Sequence, residues 1–227
     1  MKLAPALPAT LAAALLSACS SVSVRDYQQT AAVKKPAHIY VAAFDTSSGA
    51  FKIAGDKSGA TAPAFKQNVS KILTDYTVEN ISKHVAPATK VATAAAPRDG
   101  WLVAGRFTRV NTGSRGLRMF IGLGAGGSKM ETAVDVFDAS RAKPFMHFAT
   151  SGGSNAMPGL VTSGGPGVGA AYSMIYQAHN GVTDDAARTS RMIAGALSEY
   201  FGERGWIAKD KVFKIKKPGE YQLVHGM

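Results

Sequence analysis

Cys19 is the only cysteine of the 227-residue chain, and it stands within the first twenty positions. Everything downstream must therefore fold without a disulfide, a zinc–thiolate site or a cysteine nucleophile, so packing alone has to hold it together. The residues ahead of Cys19 explain its position. Met1-Lys2 is a positive start, Leu3 to Leu15 is rich in Ala and Leu, and Leu16-Ser17-Ala18 brings small residues directly before the cysteine. That order is the pattern of a secretory signal peptide. The apolar stretch is too short for a spanning helix of about 20 residues, and Pro5 and Pro8 interrupt it. Cleavage before Cys19 leaves residues 19–227, enough for one domain of ordinary size with a real core.

A cysteine immediately after small residues matches the bacterial lipobox, in which the Cys becomes the N-terminus and carries diacylglycerol and an N-acyl chain. The plainer alternative is an ordinary signal peptide whose cysteine is incidental. Two or more acyl chains hold a protein stably on a bilayer, whereas one holds it marginally. The expectation is thus a lipid-anchored protein with Cys19 as the lipidation site and no other cofactor. Ser20 and Ser21 follow the cysteine, where an Asp would retain a Gram-negative lipoprotein in the inner membrane. The expected location is the outer membrane, facing the periplasm. The chain carries 26 Lys+Arg against 15 Asp+Glu, and losing Lys2 with the signal peptide leaves a formal charge of +10. A basic envelope protein meets lipid phosphates before it meets nucleic acid, so the charge reads as surface electrostatics, not as a sign of nucleic-acid binding.

Residues 20–37 are polar and end in Lys34-Lys35-Pro36, which reads as a tether. The run Ile39 to Phe44 reads as a buried strand ended by Asp45-Thr46-Ser47-Ser48-Gly49. Thr61 and Pro63 mark a helix start; Phe65, Val69, Ile72 and Tyr76 follow on one helical face, and Pro87 prevents continuation. Trp101–Val110 reads as a strand, followed by turn chemistry at Asn111-Thr112-Gly113-Ser114. Further strands are expected near 118–123, 130–138 and 144–150, the second with Ala133 and Phe137 on one side and Thr132, Val134 and Val136 on the other. Residues 151–181 hold eight glycines and few charges, a Gly-rich excursion. A helix over 184–203 follows, with Met192/Ile193, Ala196/Leu197 and Tyr200/Phe201 repeating every four residues and Asp184/Asp185 as N-terminal charge. Trp206 and Ile207 are expected to pack back, and 209–227 is a basic C-terminal tail.

Gly122-Leu123-Gly124-Ala125-Gly126-Gly127 satisfies the dinucleotide fingerprint. That motif needs a helix N-terminus next, aimed at a pyrophosphate, and the sequence continues instead with a period-2 strand. Ser128 separates Gly127 from Lys129, so the loop is no Walker A site either. The glycines read as a structural connection, with no nucleotide bound. His38, His84, His147, His179 and His225 show no metal-ligand spacing, and no G-x-S-x-G elbow activates a serine. No metal and no catalytic residue are expected. Arg106, Arg109, Arg115 and Arg118 fall in and beside one expected hairpin. They either converge to hold a phosphate or acidic partner or, as the favoured reading, form a solvated, edge-protecting strand face. Segment 151–181 reads either as a passive surface excursion or as an interaction surface, since Met157, Leu160, Val161, Met174, Ile175 and Tyr176 give it apolar content.

Gly113-Ser114-Arg115-Gly116-Leu117-Arg118, Ile121 to Gly126, and Val134-Asp135-Val136-Phe137-Asp138 resemble the signature of a bacterial lipoprotein family known as domain of unknown function 4410. The strand Tyr40 to Asp45 and the late amphipathic helix are similar to that family's ends. The resemblance spans about 38–204, and segment 151–181 departs from the family's pattern. It implies a compact domain of strands and helices in a periplasm-facing lipoprotein, and carries over no catalytic residue.

The expected organisation is a signal peptide (1–18), a lipid-anchored tether (19–37), a single α+β domain (38–208) and the basic tail (209–227). The fold expected is a mainly antiparallel five-stranded sheet, with strands near 39–44, 101–110, 118–123, 130–138 and 144–150. Two main helices, near 62–83 and 184–203, cover one face. The function expected is non-enzymatic: an envelope lipoprotein that binds a protein partner or forms a homo-oligomer. The alternative is a module binding an anionic envelope ligand such as lipopolysaccharide phosphate or peptidoglycan.

Overall fold

A mixed sheet of seven strands lies under two helices in the computed structural model, which describes residues 23–29, 33–56, 59–92, 99–113, 127–139, 142–154 and 169–214. In chain order the strands are β1 (Ser23–Gln29), β2 (Ile39–Ala42), β3 (Ala50–Lys52), β4 (Ala88–Val91), β5 (Trp101–Asn111), β6 (Ser128–Asp138) and β7 (Met146–Ser154). The helices are α1 (Ala62–His84) and α2 (Gly169–Glu203). The spatial order is β1-β7-β6-β5-β2-β4, with β3 beside β5.

The sheet has two halves of different construction. β1, β7, β6 and β5 pair antiparallel. β2 runs parallel to both β4 and β5, and β3 runs parallel to β5. This corrects the expectation of a mainly antiparallel five-stranded sheet. The parallel half arises because α1 is a crossover: it carries the chain from one end of the sheet to the other, so that β4 starts where β2 starts. β2 and β3 share one edge of β5, at Trp101–Val103 and at Arg109–Asn111. Asp45 bridges the gap by donating its N–H to the Gly105 carbonyl and accepting from the Phe107 N–H, each at 2.8 Å.

Several boundaries differ from the sequence reading. β1 lies within the stretch expected to be tether, and it makes the sheet's edge against β7. The strand expected near 118–123 lies outside the described residues. β5 and β6 pair directly from Trp101↔Asp138 to Asn111↔Lys129. The Gly-rich excursion is bounded more tightly, since β7 reaches Ser154 and α2 begins at Gly169. Asp184 and Asp185 are therefore inside α2, and Asp185 is buried with Arg188 at 3.7 Å. The domain also continues past 208. Phe213 donates its N–H to Ser198 Oγ at 2.9 Å, and its ring stacks on His84 at 4.0 Å.

Both helices cover one face. Val41, Trp101, Val103, Phe107, Val134, Val136, Met146 and Phe148 from the strands share one core with Val69, Leu73 and Ile81 of α1 and Ile193, Leu197, Tyr200 and Phe201 of α2. Trp101 anchors one end of it, with Phe145, Tyr200, Phe201 and Trp206 all within 5.8 Å between ring centres. Two glycines are required by this packing. Gly100 turns the chain into β5 with φ +76°, where a side chain would also meet the His38 carbonyl. Gly105 lies under the Phe44 ring, which occupies the space a Cβ would take.

Candidate functional site

Period-2 alternation puts the residues between those core positions on the sheet's second face. On β5 these are Leu102, Ala104, Arg106 and, beyond a register shift, Arg109; on β6, Lys129, Glu131, Ala133, Asp135 and Phe137; on β7, His147, Ala149 and Ser151. The split of β6 matches the expected one, with Thr132, Val134 and Val136 toward the helices.

A line of charged groups crosses this face. Asp135 lies opposite His147 on one side and Ala104 on the other. Its Oδ2 accepts from Arg106 Nη1 at 3.2 Å, and its Oδ1 lies 2.6 Å from His147 Nδ1. Asp45, bridged to Arg106 in the ladder, extends the line onto the β2–β3 edge. The Asp45 carboxyl is held below its ordinary range mainly by the Ser47 N–H and hydroxyl, with Arg106 adding to them. Nearer the other end of the strands, Glu131 faces Arg109 in register, pairs with Lys129 Nζ at 2.6 Å and accepts from Ser151 Oγ at 3.5 Å.

The side chains of Arg106, His147 and Asp135 are 47%, 32% and 22% exposed, so the cluster is reachable from solvent. Its chemistry is that of matched pairs. Arg106 and Arg109 do not form a bare cationic patch, because each faces a carboxylate. Arg115 and Arg118, the other two arginines of that expected set, lie outside the described residues, as do Cys19, Gly122, Gly124 and Gly126. Gly127 is described and leads straight into β6, so a strand stands where a dinucleotide site needs a helix. Among the described residues no group of three or more His, Cys, Asp and Glu gathers to hold a metal. His147 and Ser151 share one face four residues apart on β7, roughly 13 Å along the strand, which is too far for one to activate the other.

Sequence alone does not mark Asp45, Glu131 and Asp135 as site residues, and His147 stands there only among histidines without metal-ligand spacing. Asp135 sits within a quoted motif, and the alternation of β6 points its side chain away from Val134. Which residues it meets depends on pairings 12 and 29 residues away.

The model of the domain of unknown function DUF4410 matches residues 39–171, more than half of the chain. This protein belongs to that family. The match stops short of the end of the resemblance at 204 and runs into the glycine-rich segment to residue 171, so the first part of that segment lies inside the family's pattern. No functionally curated protein matches the sequence. Among solved structures, a Xanthomonas campestris protein of the DUF330 family is 12% identical, with TM-score 0.41, covering 80% of this chain and 98% of that one. The PelC dodecamer of Paraburkholderia phytofirmans is 11% identical, with TM-score 0.40, covering 74% and 93%. A putative neuraminyllactose-binding hemagglutinin homolog from Helicobacter pylori is 8% identical, with TM-score 0.39, covering 78% and 95%.

Proposed function

We propose that this DUF4410 protein is an outer-membrane lipoprotein, acylated on Cys19, whose periplasm-facing domain binds an envelope protein or a second copy of itself without catalysing a reaction. The observation that carries the reading is the second face of the sheet. Its charges alternate in sign along Asp45, Arg106 and Asp135, with the His147 ring hydrogen-bonded to Asp135, and the line is partly exposed and flanked by small side chains at Ala104, Ala133 and Ala149. Such a line complements a protein surface that offers its own alternating charges, setting register and excluding wrong partners. The anionic-ligand reading is weaker, because a phosphate approaching Arg106 or Arg109 also meets Asp135 or Glu131.

Two measurements test this. Cys19→Ser should move the protein from the outer-membrane pellet to the soluble periplasmic fraction; retention in the pellet would overturn the anchor. Asp135→Arg should retain the circular dichroism spectrum of the wild type yet lose, by tenfold or more, the self-association or the co-purified protein seen from detergent-solubilised membranes. Unchanged association would remove the second face from the function.

A further inference from the structure

The geometry points to an orientation on the membrane: the end of the sheet formed by β3 and the start of β6 lies against the bilayer, with Lys52 and Lys66 facing phosphate headgroups. This rests on acylation of Cys19. Only residues 20–22 separate Cys19 from Ser23, the first residue of β1. Four residue steps span at most about 14 Å when fully extended, so the start of β1 is held close to the lipid.

The ladder fixes what surrounds that start. Ser23 pairs with Ser151 near the end of β7, Ser154 pairs with Ser128 at the start of β6, and Lys129 pairs with Asn111 at the end of β5. Lys52 at the end of β3 is opposite the same Asn111. α1 begins at this end as well, and Lys66 in its first turns lies over the Phe51 ring at 4.8 Å. Lys52 is exposed and Lys66 partly so. The carboxylates here are engaged locally: Asp56 accepts from the Gly59 and Thr61 N–H groups, and Glu131 pairs with Lys129. Basic groups beside an acyl anchor are attracted to anionic headgroups within a screening length. The opposite end, where Trp101 meets Trp206, lies on the order of 30 Å away along β5, beyond the reach of the tether.

The chain's single cysteine makes the test clean, because acylated Cys19 leaves any introduced thiol unique. The full-length lipidated protein carrying Lys52→Cys or Lys209→Cys is labelled with an environment-sensitive fluorophore. It is then reconstituted into phosphatidylethanolamine/phosphatidylglycerol vesicles containing a headgroup spin-labelled lipid. We expect the label at position 52 to be quenched at least threefold more than the label at 209, which belongs to the Trp101 end. Equal quenching, as from a domain lying on its β1 edge, or the reverse order would overturn the orientation. Unmodified protein that takes up the thiol reagent at Cys19 would instead show that the anchor itself is absent, so the two failures are told apart.

Discussion

Arg106 and Phe107 are neighbours on β5, yet Phe107 is fully buried beneath the helices while the Arg106 side chain is 47% exposed on the opposite face. The same contrast recurs on β6 with Val134 and Asp135, and on β7 with Phe148 and His147. The covered face is built from large apolar side chains locked by two helices, and the second mixes charges that pair across strands with small residues and two larger apolar ones, Leu102 and Phe137. Energetically the two are unequal. Burying an aromatic side chain is worth several times what a partly exposed ion pair contributes. The covered face therefore determines whether the domain folds, and the second face is free to be spent on recognition.

The largest effect that tests this contrast is at the aromatic cluster. Trp101→Ala removes the side chain that Phe145, Tyr200, Phe201 and Trp206 all touch. It should cost about 3–5 kcal/mol, lowering Tm by roughly 10 °C for a domain of this size. A thermal melt of the soluble Cys19→Ser domain measures it. A loss below about 1 kcal/mol would mean that the cluster is a peripheral patch and that the core's weight lies elsewhere.

The covered face was also the more legible one. β5, β6 and β7 alternate or run apolar strongly enough to be read directly, and α1 was placed almost to the residue by Thr61, Pro63 and Pro87. What failed did so for physical reasons. β2 reads as a strand because Ile39–Ala42 is apolar, but nothing in its own residues says that its neighbours run parallel; that follows from α1 being a crossover. β3 is three residues long and β4 four, with Thr89 and Lys90 exposed, so neither leaves a periodic signal. β1, with the sequence SVRDYQQ, is polar enough to pass for tether and is a strand only because β7 offers it an unpaired edge. The second face was half-legible. Its arginines stand out in sequence, whereas the carboxylates that neutralise them are brought in by sheet register alone.

A smaller effect is expected on that second face. Asp135→Arg breaks the pairs to Arg106 and His147, but both partners are exposed enough to be resolvated, so its cost to stability should stay near or below about 1 kcal/mol while association is lost. Chemical denaturation alongside the association assay separates the two. A stability loss comparable to that of Trp101→Ala would break the comparison, because the charged line would then be holding the sheet together.

The smallest effect sharpens the same contrast with two histidines. His147 faces a carboxylate on the second face. His84 ends α1 on the covered side, stacked on Phe213, with Lys83 and Arg191 nearby. Burial, and then these two cations, hold the His84 imidazole below its ordinary value of 6.5. The folded domain therefore disfavours the proton that the unfolded chain accepts. Stability from this site is complete above about pH 6.5 and is lost as pH falls through that value toward the depressed one. Between pH 7.5 and 5.5 the Tm of the wild-type domain should fall more than that of His84→Gln, which has no proton to gain at this position. Because Phe213 is the ring that covers His84, the difference also reports whether the start of the C-terminal tail stays docked. Equal pH dependence in the two proteins would place His84 in open solvent and detach residues 209–214 from the covered layer.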